Sequence, residues 1–199
     1  MVNSINALGA LDFNSLIELS TKNVDSDTVS SIGDDDTIIT GDGDDSIVSV
    51  GERASISAGE GDNQIVSKGN NAVITTGSGD DTIVSKGNNA TIAAGNGNNI
   101  VVSGGNNNSI TTGNGNDTIA SVGHENTILA GNGNNDLVSV GNSNDIITGS
   151  GSDRMAFLGS NNYINTGSGN DAVVDIGYIP YLQETEVDNS TVWGDPHYN

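Results

Sequence analysis

The residues of this chain with the clearest capacity for chemistry follow a Gly-x-Gly turn that recurs every 18 residues. Two glycines separated by one residue allow main-chain conformations with positive φ, and this geometry can turn carbonyl oxygens toward one point. Two residues after the second glycine comes Asp or Asn, which adds a side-chain oxygen to those carbonyls. Flexible sets of hard oxygen ligands are what Ca²⁺ prefers. The eight turns contain, in chain order, Gly41, Gly43 and Asp45; Gly59, Gly61 and Asn63; Gly77, Gly79 and Asp81; Gly95, Gly97 and Asn99; Gly113, Gly115 and Asp117; Gly131, Gly133 and Asn135; Gly149, Gly151 and Asp153; Gly167, Gly169 and Asp171.

A column of apolar residues accompanies these turns and predicts the elements that hold them. An apolar residue occurs at every ninth position, sixteen times without exception, from Ile38 to Val173. The step of nine contains two alternating half-repeats, one with Gly-x-Gly and one with a single glycine, as in Gly69-Asn70-Asn71. Eight units therefore occupy residues 33–176, and a fixed short period of this kind predicts a solenoid.

Each unit is predicted to form two short strands and two turns. In Thr82-Ile83-Val84-Ser85, Ile83 and Ser85 point inward and Val84 points outward, because successive side chains of a strand alternate between faces. Small inward residues beside each aliphatic residue let two sheets approach closely. Stacking of the units places the Asp and Asn oxygens in a line beside the turn carbonyls.

The composition restricts the classes of partner. The chain has 199 residues, with 5 Lys and Arg against 26 Asp and Glu, for a net charge of −21. This balance repels nucleic acid and anionic membranes and attracts cations. With no Cys, disulfides and thiolate metal sites are excluded. No apolar run approaches the length of a transmembrane segment, and residues 1–20 lack the features of an ordinary signal peptide.

The repeated motif resembles that of a known family. Gly-x-Gly-x-Asp-x-aliphatic at this spacing resembles the calcium-binding repeats of the repeats-in-toxin (RTX) proteins, Gly-Gly-x-Gly-x-Asp-x-aliphatic-x. The resemblance covers residues 33–176 and implies an all-β, right-handed parallel β-roll. In that family Ca²⁺ lies between successive turns, held by loop carbonyls and the Asp. Carried over, the ligands are the eight Asp and Asn side chains and the carbonyls of their Gly-x-Gly loops.

The same resemblance implies a calcium-binding structural module of a secreted or cell-surface protein. The lack of the features of an ordinary signal peptide leaves two locations open, the cytosol or export by a route that does not use one, and with the resemblance we expect export. No nucleophile, base and orienting acid stand out from the repeat, so we do not expect an enzyme. Eight copies of one loop suit repeated binding better than a single active site.

The chain departs from the family motif in three ways. The first glycine of the motif is replaced by Thr or Ala, as at Thr76 and Ala58. The turns with a single glycine often have Ala in the Asp position, so we expect no ions there except near Asp34 and Asp36. Asp alternates with Asn on the Gly-x-Gly turns, and the smaller number of charges should weaken Ca²⁺ binding.

Two other interpretations remain open from the sequence. Asn and Asp can cap turns through hydrogen bonds to the main chain, with Asn ladders replacing ions, which would make the chain an ion-free interaction scaffold. Ice binding, known among calcium-loaded relatives, would need a regular outward array of Thr. The outward turn positions are instead Asp42, Glu60, Ser78, Asn96, Asn114, Asn132, Ser150 and Ser168.

The two ends differ from the repeats. Residues 1–32 are predicted to cap the first coil, with Ile5, Leu8, Leu11, Leu16 and Leu19 on one side of an amphipathic helix or in strands. Residues 177–199 are predicted to form a C-terminal cap or a tail, and they hold four of the seven aromatic residues, namely Tyr178, Tyr181, Trp193 and Tyr198.

One segment near the C-terminus has a second resemblance. Trp193-Gly194-Asp195-Pro196-His197 resembles the opening of von Willebrand type D modules and of bacterial self-cleaving modules. In the latter, scission would fall between Asp195 and Pro196. A solvated tail is the alternative. His124 and His197 are isolated, and both are interpreted as surface residues.

An outward column of mostly valines predicts a contact surface. We expect it to pack against another copy of the chain or a neighbouring domain, since contiguous exposed apolar patches usually mark interfaces. Strand propensity is the alternative explanation for these valines. The column, here called the Val48–Val174 face, consists of Val48, Val66, Val84, Val102, Ala120, Val138, Ala156 and Val174.

Overall fold

The computed structural model describes residues 3–8, 18–23, 26–175 and 191–193, with side chains from residue 26 to residue 175. Within these ranges the regular elements are twenty β-strands, β1 to β20, and none is a helix. The strands form two sheets in which neighbours are parallel. The predicted parallel β-solenoid of eight 18-residue units is thereby confirmed.

The larger sheet carries the strands that follow the Gly-x-Gly turns. Its register is one coil per strand, so that Val101 pairs with Ile83 and with Ile119. In spatial order the strands are β1 (Asn3–Leu8), β3 (Asp27–Ile32), β5 (Ser46–Val50), β7 (Gln64–Lys68), β9 (Thr82–Lys86), β11 (Ile100–Gly104), β13 (Thr118–Val122), β15 (Asp136–Val140), β17 (Arg154–Leu158), β19 (Ala172–Asp175) and β20 (Thr191–Trp193).

The smaller sheet carries the strands that follow the single-glycine turns. Its strands are mostly three residues long, with the central residue pointing inward. In chain order they are β2 (Glu18–Asn23), β4 (Thr37–Gly41), β6 (Ser55–Ser57), β8 (Val73–Thr75), β10 (Thr91–Ala93), β12 (Ser109–Thr111), β14 (Thr127–Leu129), β16 (Asp145–Ile147) and β18 (Tyr163–Asn165).

The core is a narrow apolar column between the two sheets. All sixteen apolar positions from Ile38 to Val173 are buried, with at most 2% of their surface exposed. Ser85 is buried beside Ile83, whereas Val84 is 37% exposed, so the predicted alternation is confirmed. Burying one such aliphatic side chain contributes roughly 1.5–3 kcal/mol. Since each coil supplies only two, stability depends on stacking of the coils.

Close stacking explains why glycine is retained at both edges of the solenoid. A Cβ on Gly95, which has a φ of 70°, would lie 1.7 Å from the carbonyl oxygen of Gly77 in the preceding coil. On the opposite edge, a Cβ on Gly69 would lie 1.8 Å from Gly51 O. Because the same collision occurs on both edges, the glycines alone do not indicate a bound ion.

The ends of the sheets are only partly described. Residues 3–8 and 18–23 are strands paired with β3 and β4, so the helix alternative does not hold for them. The reason is that these segments hydrogen-bond to a sheet edge that would otherwise be open. Leu11 and Leu16 lie outside the described residues, as do Tyr178, Tyr181, Tyr198 and the segment 194–199. The capping role of both ends stays a prediction.

Candidate metal site

The Asp and Asn side chains of the Gly-x-Gly turns form one continuous buried line. All eight are at most 3% exposed. Each uses its Oδ1 to accept a hydrogen bond from the main-chain N–H of its counterpart in the preceding coil. Asn63 N donates to Asp81 Oδ1 over 2.9 Å, and Asp81 N donates to Asn99 Oδ1 over 3.1 Å. The predicted line of side-chain oxygens is therefore present. We call the side of the solenoid that is formed by the eight Gly-x-Gly turns the Gly-x-Gly edge.

In the Asn turns, the second branch of the side chain is satisfied within the turn. The Asn63 amide nitrogen donates to Gly61 O at 2.9 Å, with a longer contact of 3.4 Å to Gly59 O. Asn99 makes the same contacts with Gly97 O and Gly95 O at 3.1 and 3.3 Å. Asn135 repeats them at 3.2 and 3.4 Å. The Asn amide thus donates to the carbonyl oxygens of both glycines of its own Gly-x-Gly turn.

In four of the Asp turns, the second branch is a buried oxygen without a donor. The Oδ2 atoms of Asp45, Asp81, Asp117 and Asp153 are buried and have no hydrogen-bond partner among the described residues. A hydroxyl is close to each, but in the third coil, for example, the single proton of Thr76 goes to Ala94 O, at 2.8 Å. A buried, unpartnered carboxylate oxygen is costly unless a cation or a proton compensates it.

Burial also sets the proton affinity of these four groups. It raises the pKa of Asp81 above the ordinary value of 3.8, and the hydrogen bond from the Asn63 N–H and the nearby Thr76 hydroxyl oppose the shift only in part. Burial raises the pKa of Asp45, Asp117 and Asp153 in the same way. The folded chain therefore favours neutralisation of these carboxylates.

A divalent cation fits this environment. Ca²⁺ is held by roughly six to eight oxygens, many of them main-chain carbonyls. In the Asp81 turn, no described N–H or side chain donates to the carbonyl oxygens of Gly77 and Gly79, so these remain available beside the Asp81 carboxylate. Nowhere in the described residues do three Asp, Glu, His or Cys side chains converge. A bound cation would therefore depend on carbonyls as much as on carboxylates.

The small inward residue that lies five positions before each Asp or Asn differs between the two kinds of turn. Five residues before each Asp is a Thr, namely Thr40, Thr76, Thr112, Thr148 and Thr166. Five residues before each Asn is an Ala, namely Ala58, Ala94 and Ala130. The structure places the hydroxyls of Thr40, Thr76, Thr112 and Thr148 beside the carboxylates of Asp45, Asp81, Asp117 and Asp153. This pattern is visible in the sequence as a spacing of five residues.

The opposite edge, which carries the single-glycine turns, has its own ladder. Asn108 N donates to Asn126 Oδ1 over 2.8 Å, and the Asn108 amide donates to the buried Ser103 hydroxyl over 3.2 Å. In the earlier coils Ala replaces Asn, as at Ala72, and the facing Ser67 hydroxyl has no partner among the described residues. The Ala residues were visible in the sequence, whereas the Asn–Ser pairs are shown only by the structure.

At the first turn of that edge the acidic residues have separate partners. Asp34 Oδ1 accepts the Glu52 N–H over 2.8 Å, and Asp35 forms an ion pair with Arg53. Asp36 is buried, and its Oδ2 accepts the Ser31 hydroxyl. The exception that the sequence suggested near Asp34 and Asp36 stays a prediction.

The outward columns lie where the sequence placed them. On the Val48–Val174 face, Val66 is 45% exposed and Val138 is 51% exposed. His124 is exposed and takes the place of an Asn in an outer ladder, its Nδ1 accepting the Asn142 N–H at 3.0 Å. No helix in the described part of the chain has the length and apolar character needed to cross a membrane.

The repeats match a known family model. The model of the RTX calcium-binding nonapeptide repeat (4 copies) matches residues 25–49, 57–92, 87–119, 125–155 and 158–174, which is more than half of the chain. The chain belongs to this family, whose repeats bind Ca²⁺. No curated protein and no solved structure matches the chain. With the solenoid described above, the match defines a calcium-binding structural module, a type of module that is typically non-enzymatic.

Proposed function

We propose that this chain is a calcium-stabilised rod that serves as a structural module of a secreted or cell-surface protein, with its ions on the Gly-x-Gly edge. The candidate ligands are the Asp and Asn oxygens of the eight turns and the carbonyls of their Gly-x-Gly loops. RTX repeat proteins are typically secreted, and this supports the extracellular location. Neither of the two recurring features of the repeat, the apolar column and the turns, suggests catalysis.

The single observation that carries the proposal is the buried Oδ2 of Asp45, Asp81, Asp117 and Asp153. In the absence of a cation, each places an unpartnered oxygen of a carboxylate in the interior. The exposed Asp44, Asp62 and Asp80 add to the negative potential along the same edge, where Asp44 Oδ1 accepts the Asp62 N–H at 2.8 Å. Binding of Ca²⁺ to the folded state alone would then add stability by mass action.

An ion-free interaction scaffold is the second candidate, and a specific observation favours it. The Asn63, Asn99 and Asn135 amides already satisfy their own turns, and the Asn108–Ser103 type of pair does the same on the opposite edge. If these ladders sufficed for the whole rod, no ion would be needed. The Val48–Val174 face would then be its main functional surface, binding a second copy of the chain.

Thermal unfolding distinguishes the two candidates. We expect millimolar Ca²⁺ to raise Tm and a chelator to lower it. Mg²⁺ should substitute poorly because it demands near-octahedral geometry and gives up its water reluctantly. Since the chain carries a net charge of −21, any salt will screen some repulsion, and NaCl at matched ionic strength is the necessary control.

A Tm that does not change between chelator and Ca²⁺ would leave the ion-free scaffold as the better description. An equal rise with Ca²⁺, Mg²⁺ and ionic-strength-matched NaCl would mean charge screening and not binding. The extracellular location is tested separately, by fractionating the source cells and locating the chain with an antibody. Recovery from the cytoplasm alone would contradict it.

A further inference from the structure

The Gly-x-Gly edge contains two kinds of turn that alternate along the rod. In both, Oδ1 of the Asp or Asn accepts the same main-chain N–H from the preceding coil, so the second branch of the side chain is what differs. In the amide turns of Asn63, Asn99 and Asn135, that branch donates to the turn carbonyls. In the carboxylate turns of Asp45, Asp81, Asp117 and Asp153, it is an unpartnered acceptor.

The main chain follows the same alternation through the middle of the rod. The first glycine of each amide turn, Gly59, Gly95 or Gly131, has a φ of 76°, 70° or 67°. The first glycine of the intervening carboxylate turns, Gly77, Gly113 or Gly149, has no positive φ. The N–H of Gly77 donates instead to Gly59 O in the amide turn below, at 2.7 Å, and Gly113 and Gly149 repeat this bond. The structural repeat is therefore two coils.

We propose that the amide turns carry a built-in replacement for the ion, and that cations bind only at the carboxylate turns. This inference rests on the proposed function and specifies which turns perform it. An Asn amide group presents hydrogen-bond donors to the carbonyls at the place where a cation would attract them. An Asp in the same place offers only acceptors, so a cation must supply the missing positive charge. The rod then binds one cation in each of the four carboxylate turns and holds the intervening turns without one.

The last turn departs from the alternation. Asp171 follows an Asp turn and is preceded by Thr166, as in the carboxylate turns. The glycine conformation does not separate the two end turns, since Gly41 of the Asp45 turn has a φ of 96° and Gly167 has a φ of 69°. However, Asp171 Oδ2, unlike Asp45 Oδ2, is not among the buried unpartnered oxygens. We therefore do not count it as a fifth cation turn.

Two opposite substitutions in successive coils test the inference. Asp81→Asn should remove one bound cation per chain and, in the presence of a chelator, should raise Tm, because the new amide can donate to the carbonyls of Gly77 and Gly79. Asn99→Asp should do the reverse, lowering Tm in chelator and increasing the rise in Tm that Ca²⁺ produces. Asp80→Asn is the matched control, since Asp80 is exposed and adjacent to Asp81. It removes the same charge without changing a buried turn.

The measurements are bound calcium per chain, by equilibrium dialysis with radioactive Ca²⁺, and Tm in chelator. About four tight sites in the unmodified chain, together with opposite shifts for the two variants, would support the inference. Seven or eight equivalent sites, or a lower Tm for Asp81→Asn in chelator, would overturn it while leaving calcium binding intact. Absence of any bound calcium would instead contradict the proposed function. The chelator measurements need no calcium, so they test the amide turns even in that case.

Discussion

Asn63 and Asp81 occupy the same position in successive coils, and the N–H of Asn63 donates to Asp81 Oδ1 over 2.9 Å. This hydrogen bond joins a turn whose side-chain polar atoms all have hydrogen-bond partners to a turn in which one side-chain oxygen has none. The amide of Asn63 has its own acceptor in Gly61 O, whereas Asp81 Oδ2 has no donor among the described residues. The stability of each Asp turn is therefore expected to depend on pH and on cations more than that of its Asn neighbours.

The first prediction concerns pH in the presence of a chelator. Burial raises the pKa of Asp45, Asp81, Asp117 and Asp153 above the unfolded value, so the folded state binds more protons than the unfolded state between the two values. The stabilisation from protonation is complete below the unfolded pKa and is lost as the pH rises through the raised folded pKa. In chelator, Tm should therefore fall as the pH rises from about 4 toward 7.

Relief of general charge repulsion at low pH has the same sign, and a control must separate the two effects. Replacing Asp81, Asp117 and Asp153 with Asn should flatten the dependence of Tm on pH. Replacing the exposed Asp44, Asp62 and Asp80 with Asn removes equal charge and should flatten it less. Equal flattening by both triple variants would show that buried carboxylates are not the cause.

The second prediction concerns the single-glycine edge. Ala72→Asn should stabilise the chain by about 1 kcal/mol, a typical net value for an added hydrogen bond. The new amide would donate to the Ser67 hydroxyl, as Asn108 does to Ser103 at 3.2 Å. Chemical denaturation measures the change in unfolding free energy. The reverse variant, Asn126→Ala, should destabilise by a similar or larger amount because Ser121 loses the Asn126 amide, and stabilisation by Asn126→Ala would contradict the interpretation.

The third prediction concerns close stacking of the coils. Gly95→Ala should destabilise the chain by about 2–4 kcal/mol, because the Cβ would collide with Gly77 O and the residue has a positive φ. Gly104→Ala is the control, since no atom lies within 4 Å of its Cβ position. That variant should be neutral or slightly stabilising in the same denaturation experiment. Similar losses for both would mean that the approach of the coils does not demand glycine.

The fourth prediction concerns the exposed strand face. If the Val48–Val174 face binds a second copy of the chain, replacing Val138 on that face and Val140 beside it with Lys should abolish the association and leave the fold intact. Lys68 and Lys86 already occupy the position of Val140 in earlier coils, so that position tolerates lysine. Sedimentation of the unmodified and substituted chains measures the association, and circular dichroism checks the fold. A strictly monomeric unmodified chain at high concentration would show that this face does not mediate self-association.

Much of the architecture was predictable from spacing alone. A column of apolar residues at every ninth position, such as Ile74, Ile83 and Ile92, leaves few arrangements other than stacked coils, since no single coil can bury its own pair of aliphatic residues. The line of Asp and Asn oxygens followed from the same register. Periodicity predicts the stacking because every coil repeats the same contacts with its neighbour. The ends have no such repetition, and there the sequence left helix and strand open for residues such as Ile5 and Leu19.

Only the tertiary structure showed which polar atoms lack a partner. The sequence places Asp81 and Asn99 in equivalent positions and suggests that they differ in charge. It does not show that the Asn99 amide reaches Gly97 O at 3.1 Å, or that Asp81 Oδ2 is buried without a donor. The sequence linked the Gly-x-Gly pairs to a calcium site, whereas the 1.7 Å approach of a Gly95 Cβ to Gly77 O shows that stacking alone requires glycine there. Whether a polar atom finds a partner, and whether a Cβ collides, depends on atoms of the neighbouring coil. These contacts are therefore set by the tertiary structure, although the residues involved can be identified in the sequence.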